Sequence, residues 1–230
     1  MADAVSRFRP GGNQRGEDTR QRILETALVL FGAEGFDGAS TRELAERAGV
    51  NLPAIQYYFG SKEGLYRAVV EQIAGHIETR LAPLASRIRA ALTAGSGRED
   101  ILGLLCELLD LIVAMILDDT LPDRESRRRF FARTEFEPMV AADALQDCMV
   151  GNVLRPCAAL VGRLVSRPAD DEGVLMRAIA LLGQAKGFNS CGAERMLGWD
   201  TIGADRVRAV QALLREHTRA VFAATGELGP

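Results

Sequence analysis

From Asp18 to about residue 224, apolar residues recur at intervals of three and four. Nowhere do they alternate with the period of two that a half-buried strand requires, so the fold class is all-α, with about nine helices and no internal repeat. Asp18 can cap a first helix with Gln21 three residues on, and Ile23, Leu24, Ala27, Leu28 and Phe31 share one face of it. Gly35 is placed to end that helix in a left-handed cap. "STRE" at 40–43 is a capping box in which Ser40 and Glu43 satisfy amides at the start of a second helix, which runs only to about Ala48. Gly49 lets the chain reverse, and Asn51 as N-cap with Pro53 in the first turn opens a third short helix. "FGSKEGL" ends it and opens a fourth helix, capped by Ser61 with Leu65, Val69, Ile73 and Ile77 facing inward. Beyond Pro83 the pattern predicts helices at roughly 84–94, 98–118, 123–136, 139–166, 171–189 and 203–224.

Two helices of about eight residues, joined through a glycine and packed on a longer first helix, match the helix-turn-helix arrangement, whose second member lies in the DNA major groove. A recognition helix buries only one side. Val50, Ile55 and Phe59 supply that side here, leaving the rest of "NLPAIQYY" free. Asn51 opens this DNA-facing set. Leu52, Pro53, Ala54 and Gln56 are compact or apolar and can lie against base edges and thymine methyls, Gln56 pairing with adenine. Tyr57 offers its hydroxyl to a phosphate, and Tyr58 has no side dictated by spacing alone. Ser61 and Lys62 combine a helix N-terminus with an ammonium group, a place for one anion. Thr41 and Arg42 open the second helix, and Arg42 can reach phosphate or guanine.

The run from Thr19 to Val70 resembles the N-terminal DNA-binding domain of the TetR family of transcriptional regulators, through the ordered elements "IL", "LF", "GF", "ST", "LA", "AGV", "YF" and "SKE". That resemblance implies that Thr41, Arg42, Leu52, Pro53, Ala54, Gln56, Tyr57 and Lys62 fall on positions the family uses at DNA. Residue 56 is frequently tyrosine in the family, and residue 57 often histidine or tryptophan. Gln56 in that place favours a base contact over a phosphate grip. The second half resembles a CecR-like C-terminal domain through "RFFARTEFEP" (129–138), "LRP" (154–156), "LLGQ" (181–184) and "MLGWDTIG" (196–203), and departs from it in "AKGFNSCGAERM" (185–196). The implied organisation is a flexible basic arm at 1–17 carrying Arg7, Arg9 and Arg15, a helix-turn-helix domain at 18–80, and a larger helical ligand-binding and dimerisation domain at 81–230. The implied function is a ligand-responsive regulator, a repressor, that binds a double-stranded operator as a homodimer and is released by a small-molecule effector. From amphipathic phase, the effector pocket is expected among Leu105, Cys106, Leu109, Met115, Phe130, Phe131, Arg133, Glu135 and Met139.

Net charge is -3 over 230 residues, so bulk electrostatics make no case for nucleic acid and local features must carry it. Of 28 basic residues, 26 are arginine, Lys62 and Lys186 being the exceptions. The first 62 residues balance 8 basic against 8 acidic groups, which leaves a helical adaptor without DNA binding as the alternative. Four scattered cysteines and the two histidines, His76 and His217, show no metal-ligand spacing and read as reduced thiols and ordinary polar residues. No nucleophile elbow, phosphate loop or dinucleotide fingerprint is present, so neither an enzyme nor a cofactor is expected. The most apolar run, 101–117, is interrupted by Glu107 and Asp110 and reads as a buried helix, giving a cytoplasmic protein with no membrane partner. Gly183 and Gly187, four apart, would let a second helix approach closely.

Overall fold

A computed structural model describes residues 11–117, 124–134, 142–188 and 191–224, and all regular structure among them is helical. Contacts divide the chain into two compact units, residues 1–72 with 125–142, and residues 73–124 with 143–230. The expected division near residue 80 falls inside one long helix.

In the first unit, α1 (Gly11–Gly38) begins seven residues before Asp18, which therefore lies within the helix and caps nothing. Arg15 belongs to this helix, whereas Arg7 and Arg9 lie outside the described residues. α1 breaks at Gly35 (φ 77°, ψ 177°), a conformation that a side chain resists, so the predicted stop is at the predicted residue. α2 (Thr41–Arg47) and α3 (Leu52–Phe59) follow, then α4 (Lys62–Ala94). Ile23, Leu24, Ala27, Leu30 and Phe31 of α1 meet Leu44, Ile55, Leu65, Tyr66 and Val69 in a dry core.

One segment from far along the chain completes this core. α6 (Arg124–Thr134) sends Phe130 against Tyr66, ring centroids 5.2 Å apart, and Tyr66 in turn packs edge-on against Phe31 and Phe36. Its backbone presses so close to α1 that a Cβ at Gly32 would stand 2.6 Å from the Ser126 carbonyl oxygen. Arg133 then donates from Nε to the Gly32 carbonyl (3.1 Å) and from Nη2 to the Ala33 carbonyl (2.8 Å), satisfying acceptors freed where α1 breaks.

The second unit is built around α5 (Arg98–Leu117), which packs on α8 (Arg155–Leu164), α9 (Glu172–Gly187) and α11 (Ala204–Ala224). The 101–117 run is buried as its composition required: Ile101, Leu105, Leu108, Leu109, Val113 and Leu117 are almost wholly enclosed. Arg98 ties two helix ends together, donating to the Leu164 carbonyl (2.6 Å) and the Phe222 carbonyl (2.5 Å). Asp110 is buried on α5, accepts from Arg215 Nε at 2.6 Å, and keeps Oδ1 without a partner, while Gln211 donates to its carbonyl.

Two further helix boundaries depart from the periodic reading at a proline. α4 continues through Pro83 to Ala94 instead of ending there, because Leu81, Leu84 and Ile88 are buried on one stripe and offset the single lost hydrogen bond. The 139–166 helix is divided into α7 (Ala142–Met149), a π-helical turn at Val150–Leu154, and α8. Pro156 has no N–H to give, and the widened turn moves the pairing so that Arg155 N–H reaches the Val150 carbonyl. A short α10 (Cys191–Leu197) precedes α11. Among the described residues, Leu145–Val165 is one helical stretch long and apolar enough to cross a bilayer by length and composition alone, yet it buries Cys157, Ala158, Leu160, Val161 and Leu164 within the unit.

Candidate nucleic-acid interface

Three polar caps fix the helix-turn-helix. Ser40 Oγ accepts from Glu43 N–H, Asn51 Oδ1 from Ala54 N–H and Ser61 Oγ from Gly64 N–H, each at 3.1 Å. Between α2 and α3, Gly49 takes φ 63°, and Arg22 reaches across from α1 to donate Nε to the Ala48 carbonyl at 2.8 Å. The reversal is thus held by a side chain 26 residues away, a contact that no local pattern announces.

α3 buries one side and shows the other. Ile55 is 2% exposed and anchors the helix, with Val50 and Phe59 half-buried beside it and the Arg20 guanidinium 5.4 Å above the Phe59 ring. Opposite them Tyr57 is 82% exposed and Leu52 50%, far more than residues of their size accept without a partner. Asn51, Pro53 and Gln56 are exposed, and Ala54 is half-buried at their edge. Tyr58 packs back toward α1: it is half-buried, stands edge-on to Tyr57 with centroids 5.0 Å apart, and brings its hydroxyl to 3.7 Å from where a Cβ on Gly16 would lie. Thr19 and Arg22 of α1, with Val50, Asn51, Pro53, Ala54, Tyr57 and Tyr58, line an open groove.

At the start of α4, where an anion seat is expected, the side chains already contact one another and their neighbours. Lys62 lies with Nζ 4.5 Å from the centroid of Phe36, and Ser61 Oγ is occupied by the Gly64 amide. The N-terminus of α4 is already served by a resident carboxylate: hydrogen bonds from its own backbone N–H and from Ser61 hold the Glu63 carboxyl below its ordinary range. Thr41 is half-buried at the start of α2 and Arg42 is exposed there.

The effector residues expected from amphipathic phase are divided between the two units. Leu105, Cys106 and Leu109 are buried on α5 and Met115 is half-buried near its end, all in the second unit. Burial pushes the Cys106 thiol above its usual pKa. Phe130, Phe131 and Arg133 belong to α6 in the first unit, where Phe130 and Arg133 are engaged with Tyr66 and α1. Glu135 and Met139 lie outside the described residues.

A short outward-facing helix held on a two-helix corner is the geometry of a DNA reader, and comparison with known proteins specifies which kind. Residues 23–69 match the profile described as bacterial regulatory proteins, tetR family, and residues 103–225 match that of the C-terminal domain of the HTH-type transcriptional dual regulator CecR. The chain belongs to the TetR family. It is 26% identical over 212 residues to the dual regulator CecR of Shigella flexneri, covering 90% of this chain and 93% of that one. With the transcriptional activator FasR of Mycolicibacterium smegmatis it shares 30% identity over 177 residues, 74% of this chain and 72% of FasR. The same fold appears in a TetR-like regulator from Rhodococcus sp. RHA1, at a TM-score of 0.62, 18% identity and coverage of 89% and 96%. It appears again in Bacillus subtilis FadR in complex with stearoyl-CoA, at a TM-score of 0.55, 13% identity and coverage of 84% and 96%. This TetR-family chain is therefore a DNA-binding transcriptional regulator, and not an enzyme.

Proposed function

We propose that the protein is a cytoplasmic repressor that binds a palindromic operator as a homodimer and leaves it when a small effector occupies the second unit. The observation that carries this reading is the exposed face of α3, which shows Leu52, Gln56 and Tyr57 outward. Pairing of two copies is supported by the outward faces of α9 and α11. Met176 and Ile179 are 59% and 57% exposed on α9, and Gly183 and Gly187 one and two turns on have open space at their Cβ positions. On α11, which packs beside α9, Leu213 and Val221 are exposed on the same kind of stripe. A two-fold dimer sets two recognition helices about one duplex turn, roughly 34 Å, apart.

Two features supply a route for effector control. α4 is one uninterrupted helix that begins in the reader and ends in the second unit, and α6, packed on α1, is flanked in sequence on both sides by helices of the second unit. An effector that shifts either changes recognition-helix spacing, and about 1–3 kcal/mol of coupling alters operator affinity many-fold. The test is retention of genomic fragments by the purified protein, followed by salt titration on the fragments retained and light scattering on the protein alone. Salt-independent binding, or a monomer at micromolar concentration, overturns the corresponding part of the proposal.

A further inference from the structure

Several of the donors that line the groove between α1 and α3 have no acceptor among the described residues. Several arginines of this chain are neutralised at home: Arg47 by Glu43, Arg87 by Glu107, Arg128 by Glu125, Arg215 by Asp110 and Arg219 by Glu99. Among the described residues Arg22 has no carboxylate. Its Nε is spent on the Ala48 carbonyl, and that bond fixes the plane of the guanidinium while Nη1 and Nη2 keep no partner among those residues. Asn51 uses only Oδ1, as the α3 cap, so its amide Nδ2 is free. The hydroxyls of Tyr57 and Tyr58 make no hydrogen bond among the described residues, and Thr19 Oγ donates to the Arg15 carbonyl on its own helix. No acidic side chain lines the groove, and its one formal charge is positive. A groove lined by several uncommitted donors, one cation held through its Nε and no carboxylate favours an anion, and the bidentate fork of a guanidinium matches the two free oxygens of a phosphodiester.

We infer that this groove seats one phosphate of the DNA backbone, held by the Arg22 guanidinium with Asn51 Nδ2 and the Tyr57 and Tyr58 hydroxyls. The inference rests on the DNA-binding reading and adds a clamp on the α1 side of the recognition helix. Arg22 then has two linked tasks: through Nε it holds the α2–α3 turn, and through its terminal nitrogens it grips the strand that this turn presents. The register of α3 in the groove and the position of the phosphate are set by the same side chain. Sequence is read elsewhere on α3, so the clamp strengthens binding to every duplex equally.

The experiment is a salt titration of binding to a mixed-sequence duplex for the wild-type protein, Arg22→Gln, and the double variant Tyr57→Phe with Tyr58→Phe. Each lost phosphate neutralisation lowers the slope of log affinity against log salt by about 0.9 per subunit bound. Arg22→Gln is expected to show that drop, with affinity reduced by a similar factor on all sequences. The phenylalanine pair keeps both rings and their packing and is expected to weaken binding on every sequence with the slope unchanged. If Arg22→Gln keeps the wild-type slope and alters only sequence preference, Arg22 acts solely through the Ala48 carbonyl and the clamp is overturned. If Arg22→Gln does not fold, as read by circular dichroism, the phenylalanine pair decides: unchanged affinity overturns the inference and a uniform loss sustains it. Absence of salt-dependent binding by the wild-type protein would instead remove the DNA-binding reading, which keeps the two failures distinct.

Discussion

Arginine is used within the fold in both units, Arg47 and Arg133 of the first included, but the reader also turns one toward a groove without carboxylates. In the second, Arg98, Arg215 and Arg219 are consumed inside the fold, on the Leu164 and Phe222 carbonyls, on Asp110 and on Glu99. In the reader, Arg22 keeps its terminal nitrogens uncommitted in a groove without carboxylates, and Arg42 stands exposed at the start of α2. One residue type thus serves as internal cement where carbonyls and carboxylates surround it, and as an external contact where none do. The partner of an uncommitted cation lies outside the chain, which is why the reader binds DNA although the net charge is -3.

Replacements at the internal contacts should move stability and leave the salt dependence of DNA binding alone. The largest effect is expected from Gly32→Ala. Its Cβ would stand 2.6 Å from a backbone oxygen of α6, and since that oxygen cannot rotate away the helices must separate, at about 3 kcal/mol. Thermal unfolding should shift down by about 2–4 °C for each kcal/mol lost in a chain of this size. An unchanged melting temperature would show that α6 does not pack on α1 in solution. Next comes Arg98→Ala, which frees the Leu164 and Phe222 carbonyls and should destabilise by about 2 kcal/mol with an unaltered salt slope. A changed slope there would erase the contrast between the two units.

Replacements on the reader should do the reverse. Gln56→Ala is expected to leave the melting curve in place and to cost about 1 kcal/mol at adenine in one operator position, measured by binding to single-base variants of a retained fragment. Equal weakening on every sequence would assign Gln56 to the backbone instead. Lys62→Ala is expected to have a smaller and mixed effect, because its ammonium is partly satisfied by the Phe36 ring: a slope reduction below the full 0.9 or so of a phosphate contact, with slight destabilisation. A full-sized slope reduction would mean that Lys62 leaves Phe36 on binding.

The two units also differ in how much of them could be read from the chain. The reader is written in local signals, because caps and turns act within three or four residues. Ser40, Asn51 and Ser61 accept the bonds their positions predict, Gly35 and Gly49 take positive φ, and Ile55 is buried while Tyr57 is not. What escaped was long-range: Arg22 on the Ala48 carbonyl, Lys62 on Phe36, and α6 against α1, contacts between residues 26 to about 100 apart with no periodic signature. The side taken by Tyr58 belongs with these, since it depends on the space left at Gly16 of α1. In the second unit, phase correctly put Leu105, Cys106 and Leu109 on the buried stripe of α5, but a buried stripe is equally a core and a pocket wall. Phe130 and Arg133 carried the same apolar and polar cues, yet α6 uses them to complete the reader's core.

The cysteines allow the gentlest check on the second unit, since it removes no contact. Cys157 is fully buried, with its thiol pushed up to about 12 by desolvation, and its Sγ faces the Ala178 carbonyl at 4.0 Å. Cys148 is half-buried, with Sγ 3.6 Å from the Ala74 carbonyl. Thiolate is the reactive form, so at a mildly alkaline pH the folded protein should alkylate at Cys148 well before Cys157, with Cys106, buried and raised, close to the slower of the two. Peptide mapping after a short iodoacetamide pulse reads the order directly. Denaturant should abolish the difference, because unfolding exposes every thiol and removes the burial that raises Cys106 and Cys157. Early labelling of Cys157 in the folded state would mean that α8 and α9 open locally far more readily than their packing implies, and the second unit would then be the softer half of the molecule.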